Sequence, residues 1–203
     1  QELISKSVVI QEIHHRVKNN LQTIASLIRM QSRRINDPRI KISHQESINR
    51  ILSIAVTHEI LAKNISGMID VHEMIILLIQ NTIYQGDGND KIITVDVEGD
   101  KITVDSNKAT SIALIVNELM SNAFEHAFKH RKEGNVTIHI QKKTLISTIS
   151  VIDNGEGFPS DIERQNSFGL SIVKGLAKET LKGDVVIDST EKGTKVTFSF
   201  LNK

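Results

Sequence analysis

Ile10, Ile13, Val17, Leu21, Ile24 and Ile28 recur at intervals of three and four residues, the spacing that lays one apolar stripe along an α-helix. Asn36-Asp37-Pro38 interrupts the stripe. Proline has no N–H to give and steers Asp37 away from helical angles. A second stripe follows through Ile48, Ile51, Leu52, Ala55, Glu59 and Ala62. Two such helices with a short connection form an antiparallel hairpin, here over roughly residues 1–64. A lone hairpin cannot enclose its apolar faces. The simplest closed solution is a homodimer in which two hairpins make a four-helix bundle.

From Asp70 the pattern changes. Residues 71–84 read as a helix rich in Ile and Leu, and 86–89 as a loop. Ile92, Thr94 and Asp96 alternate with Ile93, Val95 and Val97 as in a strand, and 102–104 reads as another, with Gly99-Asp100 as the turn between. Ser106 reads as the N-cap of a long helix reaching about residue 129. Strands follow at 136–140, 145–152, 184–188 and 195–200, with a helix over 169–180 among them. Strands clustered with three helices imply an α/β sandwich, helices on one sheet face, over residues 70–203. The chain as a whole is α+β, with a hinge expected at 63–70.

Composition narrows what such a chain can do. At 39% hydrophobic and 24% charged it is globular. A net charge of +1 gives no field that points to nucleic acid or an anionic membrane. Arg16, Lys18, Arg29, Arg33 and Arg34 spread around their helix as a solvated face does. The absence of cysteine excludes disulfide and thiolate chemistry and fits a cytoplasmic location. No apolar run is long enough to span a bilayer, so no membrane contact is expected of this stretch. It begins at Gln1 rather than Met, as a piece of a longer, membrane-tethered or soluble protein does.

Two groups of residues carry chemistry on this scaffold. Glu12-Ile13-His14-His15-Arg16-Val17-Lys18-Asn19-Asn20-Leu21 lies on the first helix. His15 points roughly 160° from the mean direction of the apolar stripe, whereas His14 lies about 60° from it, at the flank of the seam. Asn19 follows His15 by one turn on the same outward face. A histidine on a polar face is by itself an ordinary surface residue, and the second group is what gives it meaning. Asn117-Glu118-Leu119-Met120-Ser121-Asn122-Ala123 places Glu118 and Asn122 one turn apart on one helix face. An amide oxygen beside nucleotide phosphates suits Mg²⁺, which keeps waters and phosphate oxygens in its shell. Asp153-Asn154-Gly155-Glu156-Gly157 follows a strand. Its glycines allow a sharp turn and close approach to a flat ligand, and its carboxylate can accept from an exocyclic amine. Ser167-Phe168-Gly169-Leu170 opens a helix whose N-terminus suits phosphate.

His14-His15-Arg16-Val17-Lys18-Asn19-Asn20-Leu21-Gln22 resembles the phosphoacceptor box of bacterial and archaeal sensor histidine kinases, in the subfamily where Arg follows the phosphorylated His (the HisKA_2 or HWE-like type). Ser53-Ile54-Ala55-Val56-Thr57-His58-Glu59 resembles that subfamily's second helix. The later motifs, in their order and spacing, resemble the Bergerat-fold ATP site shared by histidine kinases, type II topoisomerases, heat-shock chaperones and mismatch-repair ATPases. The resemblance spans nearly the whole chain and implies ATP and Mg²⁺ as cofactors. It implies that His15 is the phosphoacceptor and that Asn19 orients a water for dephosphorylating a partner. Asn122 would bind Mg²⁺, Asp153 would read the adenine amine, and Gly155 and Gly157 would shape the pocket. Phe168, Gly169 and Leu170 would start the phosphate-side helix, while Thr194, beside Gly193, would belong to the element that closes over the base. Asn117 and His126 are further candidates for lining the site. Glu118 falls where hydrolytic members keep a water-activating carboxylate, and here it would support metal binding or proton removal.

Two departures stand out. Arg16 occupies the place of the acid that commonly follows the phosphorylated His. Glu125 stands where many kinases carry Lys or Arg, and an acid there repels a triphosphate unless it turns outward. Residues 159–166 read as a short lid. The expected activity is that of a protein-histidine kinase, autophosphorylating His15 from Mg-ATP in a homodimer and passing the phosphoryl group to an aspartate of a response-regulator receiver domain. The alternative is a degenerate nucleotide-binding scaffold that signals by conformation alone.

Overall fold

The computed structural model describes residues 2–63, 67–83, 92–157 and 168–202. The expected loop at 86–89, the lid at 159–166, Ser167, the side chain of Phe168 and the middle of the expected hinge lie outside the described residues. Helices α1 (Glu2–Ser32) and α2 (Pro38–Lys63) form the hairpin. Pro38 begins α2 rather than merely breaking α1, because the first helical position needs no N–H. Asp37 stands just before it and accepts from the Arg39 N–H through Oδ1 at 2.9 Å. Ala25 and Ile48 are buried along the hairpin, while Val9, Ile10, Ile13, Ile24, Leu27 and Met30 keep between 45% and 60% of their surface exposed. Part of the α1 stripe is therefore uncovered in the single chain. Among the described residues no helix is long and apolar enough to cross a membrane.

The second half holds β1 (Met68–Asp70), α3 (Val71–Ile83), β2 (Ile92–Gly99), β3 (Thr103–Asp105), α4 (Ser106–Asn122), β4 (Glu133–Gln141), β5 (Ile146–Asp153), α5 (Phe168–Glu179), β6 (Val185–Thr190) and β7 (Gly193–Leu201). Five strands form one mixed sheet in the order β2-β4-β5-β7-β6, parallel only between β2 and β4. Ile138 and Ile140 of β4, Ile149 of β5, and Phe198 and Phe200 of β7 are fully buried. They share a core with Ile112, Ile115 and Met120 of α4 and Val173 and Ala177 of α5. This is an α/β sandwich with three helices packed on the sheet. Val56, Ile60 and Leu61 at the end of α2 belong to the same core as Ile69 and Met74, so the hairpin is packed onto the sandwich.

Three local readings are corrected. β3 leaves the main sheet and pairs with β1, whose three residues are too few to show a period. Asp105, not Ser106, caps α4: its Oδ1 accepts from the N–H groups of Asn107 at 2.9 Å and Lys108 at 3.1 Å. The carboxylate has the reach and the charge that the helix N-terminus favours. The α-helix ends at Asn122, and Ala123–Ala127 continues as a π-turn.

Candidate nucleotide and phosphoacceptor sites

Asp153 stands at the end of β5, half-buried, where the chain leaves the sheet. Its Oδ1 accepts from two backbone N–H groups, Gly155 at 2.9 Å and Thr194 at 3.2 Å. These fix the carboxylate, and Oδ2 has no hydrogen bond among the described residues. Burial pushes the Asp153 carboxyl up, while the two backbone bonds and the charge of Arg131 oppose the shift. Gly155 and Gly157 are required by close approach. A Cβ at Gly155 would fall 2.3 Å from the Ala127 carbonyl oxygen, and Gly157 adopts φ +70 with the Thr190 carbonyl oxygen pressed against it.

The loop is held from its outer side as well. Arg131 donates to the Asn154 carbonyl at 2.7 Å, Asn154 Oδ1 accepts from the Asn135 N–H at 2.8 Å, and Glu156 meets His130 Nδ1 at 3.0 Å. The bond from His130 holds the Glu156 carboxyl below its usual range.

Asp153, Gly157 and Thr194 line one cleft with Asn122, Ala123 and Ala127, over a floor of Leu119, Val151, Leu170 and Val196. Apolar walls with a fixed carboxylate and an amide among them suit a flat, polar-edged heterocycle. Glu118 lies next to Asn122 on α4. Its Oε2 sits 2.8 Å from where a Cβ on Gly169 would be, with Asn122 Nδ2 at 4.0 Å. Glu118 and the first turn of α5 thus meet beside Asn122. Asn117 is 4% exposed and is not among the cleft's lining. His126 is exposed and stands apart, lining a separate cleft with Ile42 and Gln45 of α2. Glu125 faces that same cleft and accepts from Ser121 Oγ at 3.1 Å. It is not among the residues that line the cleft of Asn122 and Asp153.

The donor set can be tested against Mg²⁺. Asn122 brings an amide oxygen and Glu118 a carboxylate. Among the described residues no three His, Cys, Asp or Glu side chains gather into a metal site. Such a set fits Mg²⁺ together with phosphate oxygens, as that ion is usually held, and does not make an all-protein cage.

On the hairpin, His15 and Asn19 are exposed on one face of α1. His14 is half-buried and meets His58 of α2, Nδ1 to Nδ1, at 3.0 Å. No bond joins His15 and Asn19 among the described contacts, although Asn19 gives its carbonyl to Thr23 Oγ1. Arg16 donates to Glu12 Oε1 at 2.8 Å, one turn back. That bond holds the Glu12 carboxyl below its usual range.

Two residues here were given no role by sequence reasoning. Glu12 sets an acid three residues before His15. Arg50 of α2 grips Glu118 with both ends of its guanidinium, Nε to Oε1 at 2.5 Å and Nη2 to Oε2 at 2.7 Å. A cation set between Ile48 and Ile51 in a buried stripe was the available signal.

The chain is similar to known proteins along nearly its whole length. A family described as histidine kinase matches residues 12–86. One described as histidine kinase-, DNA gyrase B- and HSP90-like ATPase matches residues 107–203. The sensor histidine kinase PdtaS of Mycobacterium tuberculosis is 38% identical over 200 residues, covering 96% of this chain and 39% of the relative. The chain therefore spans about two fifths of that relative's length. Two solved structures of a blue-light-activated histidine kinase from Erythrobacter litoralis are similar along nearly the whole chain. The longer is 27% identical with a TM-score of 0.69, covering 98% of this chain and 60% of that one. Its isolated kinase domain superposes with a TM-score of 0.68 at 24% identity, covering 97% and 95%.

Proposed function

The chain belongs to the sensor histidine kinases, and on that premise we propose that it phosphorylates itself on His15 from Mg-ATP and hands the phosphoryl group to an aspartate of a response-regulator receiver domain. The observation that carries the reading is one chain holding both an outward-facing His15 and the cleft lined by Asn122, Asp153 and Thr194.

In the first step a ring nitrogen of neutral His15 attacks the γ-phosphorus. The bond from that phosphorus to the β,γ-bridging oxygen breaks, and ADP leaves with the electron pair. The proton on the imidazole passes to a carboxylate or to water. Phosphoryl transfer asks a protein mainly for alignment and charge compensation. Asp153 would hold the adenine edge, the α5 N-terminus at Gly169 would take the phosphates, and Asn122 would hold Mg²⁺. The ion offsets phosphate charge when bound. Glu118, or Glu12 beside His15, takes up the proton. Asn19 orients a water that takes the phosphoryl group off the partner's aspartate as inorganic phosphate. The uncovered apolar surface of α1 supports a homodimer closing into a four-helix bundle.

The test is incubation with γ-labelled ATP and Mg²⁺, followed by peptide mapping. An acid-labile, base-stable label that His15→Gln abolishes and His14→Gln keeps is expected. A label retained in His15→Gln sinks the assignment. ATP binding without any label favours the conformational scaffold.

A further inference from the structure

Arg50 and Glu118 are 68 positions apart and belong to the two halves of the molecule, yet they form a two-bonded pair at the junction. Their side chains are only 16% and 7% exposed. Glu46 stands one turn before Arg50, with its carboxylate 3.7 Å from the same guanidinium. Glu125 of the π-turn adds a third carboxylate near enough to act on Glu46: burial raises the Glu46 carboxyl, Arg50 opposes this, and Glu125 and Glu118 add to it. The junction thus sets two carboxylates from two domains, Glu46 and Glu118, on one guanidinium, with Glu125 beside Glu46. With Arg50 they attract across the junction; without it they repel.

The pair also bears on chemistry. Along α2, Arg50 lies eight residues from His58, which faces His14. At the helical rise that is roughly 12 Å from the level of the phosphoacceptor. Held this way, Glu118 is kept at the level of Arg50, away from that of His15.

We propose that Arg50 is an interdomain latch: while it clasps Glu118 the ATP-binding domain is parked against α2, and the clasp must open before His15 is phosphorylated. Arg50 is a positioning residue acting through Glu118. The inference rests on the kinase reading above.

The experiment uses two introduced cysteines, at exposed Ser26 on α1 and exposed Lys142 beyond β4, in a chain that has no cysteine of its own. Nitroxide distances are measured in labelled chain diluted with unlabelled chain, alongside ATP affinity and the initial rate of His15 labelling. Wild type is expected to give one narrow distance. Arg50→Gln should broaden and lengthen it and raise the labelling rate several-fold, with ATP affinity unchanged. Arg50→Lys should keep part of the narrow peak, and the charge swap R50E/E118R should restore that peak while labelling is lost. An unchanged distance in Arg50→Gln overturns the latch, as does a longer distance with no gain in labelling. A wild-type chain that takes no label at saturating ATP counts against the kinase reading instead, and the distances still decide whether Arg50 holds the domains together.

Discussion

His14 and His58 share one hydrogen bond across the hairpin, Nδ1 to Nδ1 at 3.0 Å, with ring centroids 5.2 Å apart. One ring must donate and the other accept, so the bond is lost if both rings become imidazolium. Burial, and then the proximity of His14, push the His58 imidazole below its ordinary value. The sign follows from linkage. The unfolded chain binds the proton more readily than the folded one, so acidification favours unfolding. The pair's contribution is complete above the unfolded value of about 6.5 and is lost as pH falls through the lower folded value. Beside it, Lys18 bonds to Glu59 at 3.0 Å and holds that carboxyl low, so this ion pair stays charged through the same window. Thermal melts at pH 7.5 and pH 5.5 should differ by a few degrees. The difference should shrink in His58→Gln, and an identical pH response in that variant rules the pair out as its source.

Asp153 gives one oxygen to structure and keeps the other for a ligand, so two substitutions should separate. Asp153→Asn retains an acceptor for the Gly155 and Thr194 N–H groups but turns the second position into a donor facing the adenine amine. ATP affinity should fall about 10- to 100-fold, the loss of one hydrogen bond to a charged group, with little change in stability. Asp153→Ala strands both N–H groups and should also cost about 1–3 kcal/mol of folding free energy. Calorimetric titration with ATP and denaturant melts read the two effects. Equal stability losses in both variants would contradict the division of labour between the oxygens.

What the sequence disclosed, and what it withheld, divide by range. The α1 stripe, the break at Pro38 and the outward aim of His15 follow from helical period, which is local, and they stand. The turn at Asp153-Gly157 is equally local, because its glycines announce a backbone that leaves no room for Cβ. His126 was harder to place. The α-helix gives way to a π-turn at Ala123–Ala127, which no propensity in the sequence announces, and His126 ends in the cleft with Ile42 and Gln45. Glu125 swings toward α2 in the same turn. Arg50 was out of reach for another reason: its partner is fixed by how two domains dock, and no local period encodes that.

Gly169 is a glycine for the sake of Glu118. A methyl group there would lie 2.8 Å from Oε2. A free glutamate could swing aside, but this one is held by two bonds from Arg50. Gly169→Ala should therefore cost about 1–3 kcal/mol, as overpacking does, and lower ATP-dependent labelling. Combining it with Arg50→Gln, which frees the carboxylate to move, should recover part of the lost stability. The measure is a double-mutant cycle in denaturant, where additive costs would mean that the methyl group and the guanidinium do not compete for Glu118.

The uncovered face of α1 predicts its own partner. Ile10, Ile13 and Ile24 are 54%, 52% and 45% exposed although they belong to one apolar stripe. Each is worth about 1.5–3 kcal/mol when fully buried. A second copy of the hairpin offers the same stripe, so a two-fold arrangement satisfies both at once. The chain should sediment as a dimer at micromolar concentration. Ile13→Asp places a charge at the centre of the seam and should yield monomers that still bind ATP, since the cleft of Asn122 and Asp153 lies wholly on the other domain. If phosphorylation runs between copies, that variant should label only when mixed with a chain that supplies an intact seam. A wild-type chain that sediments as a monomer throughout, with Ile13→Asp unchanged in labelling, would show that the stripe is covered by something other than its own copy.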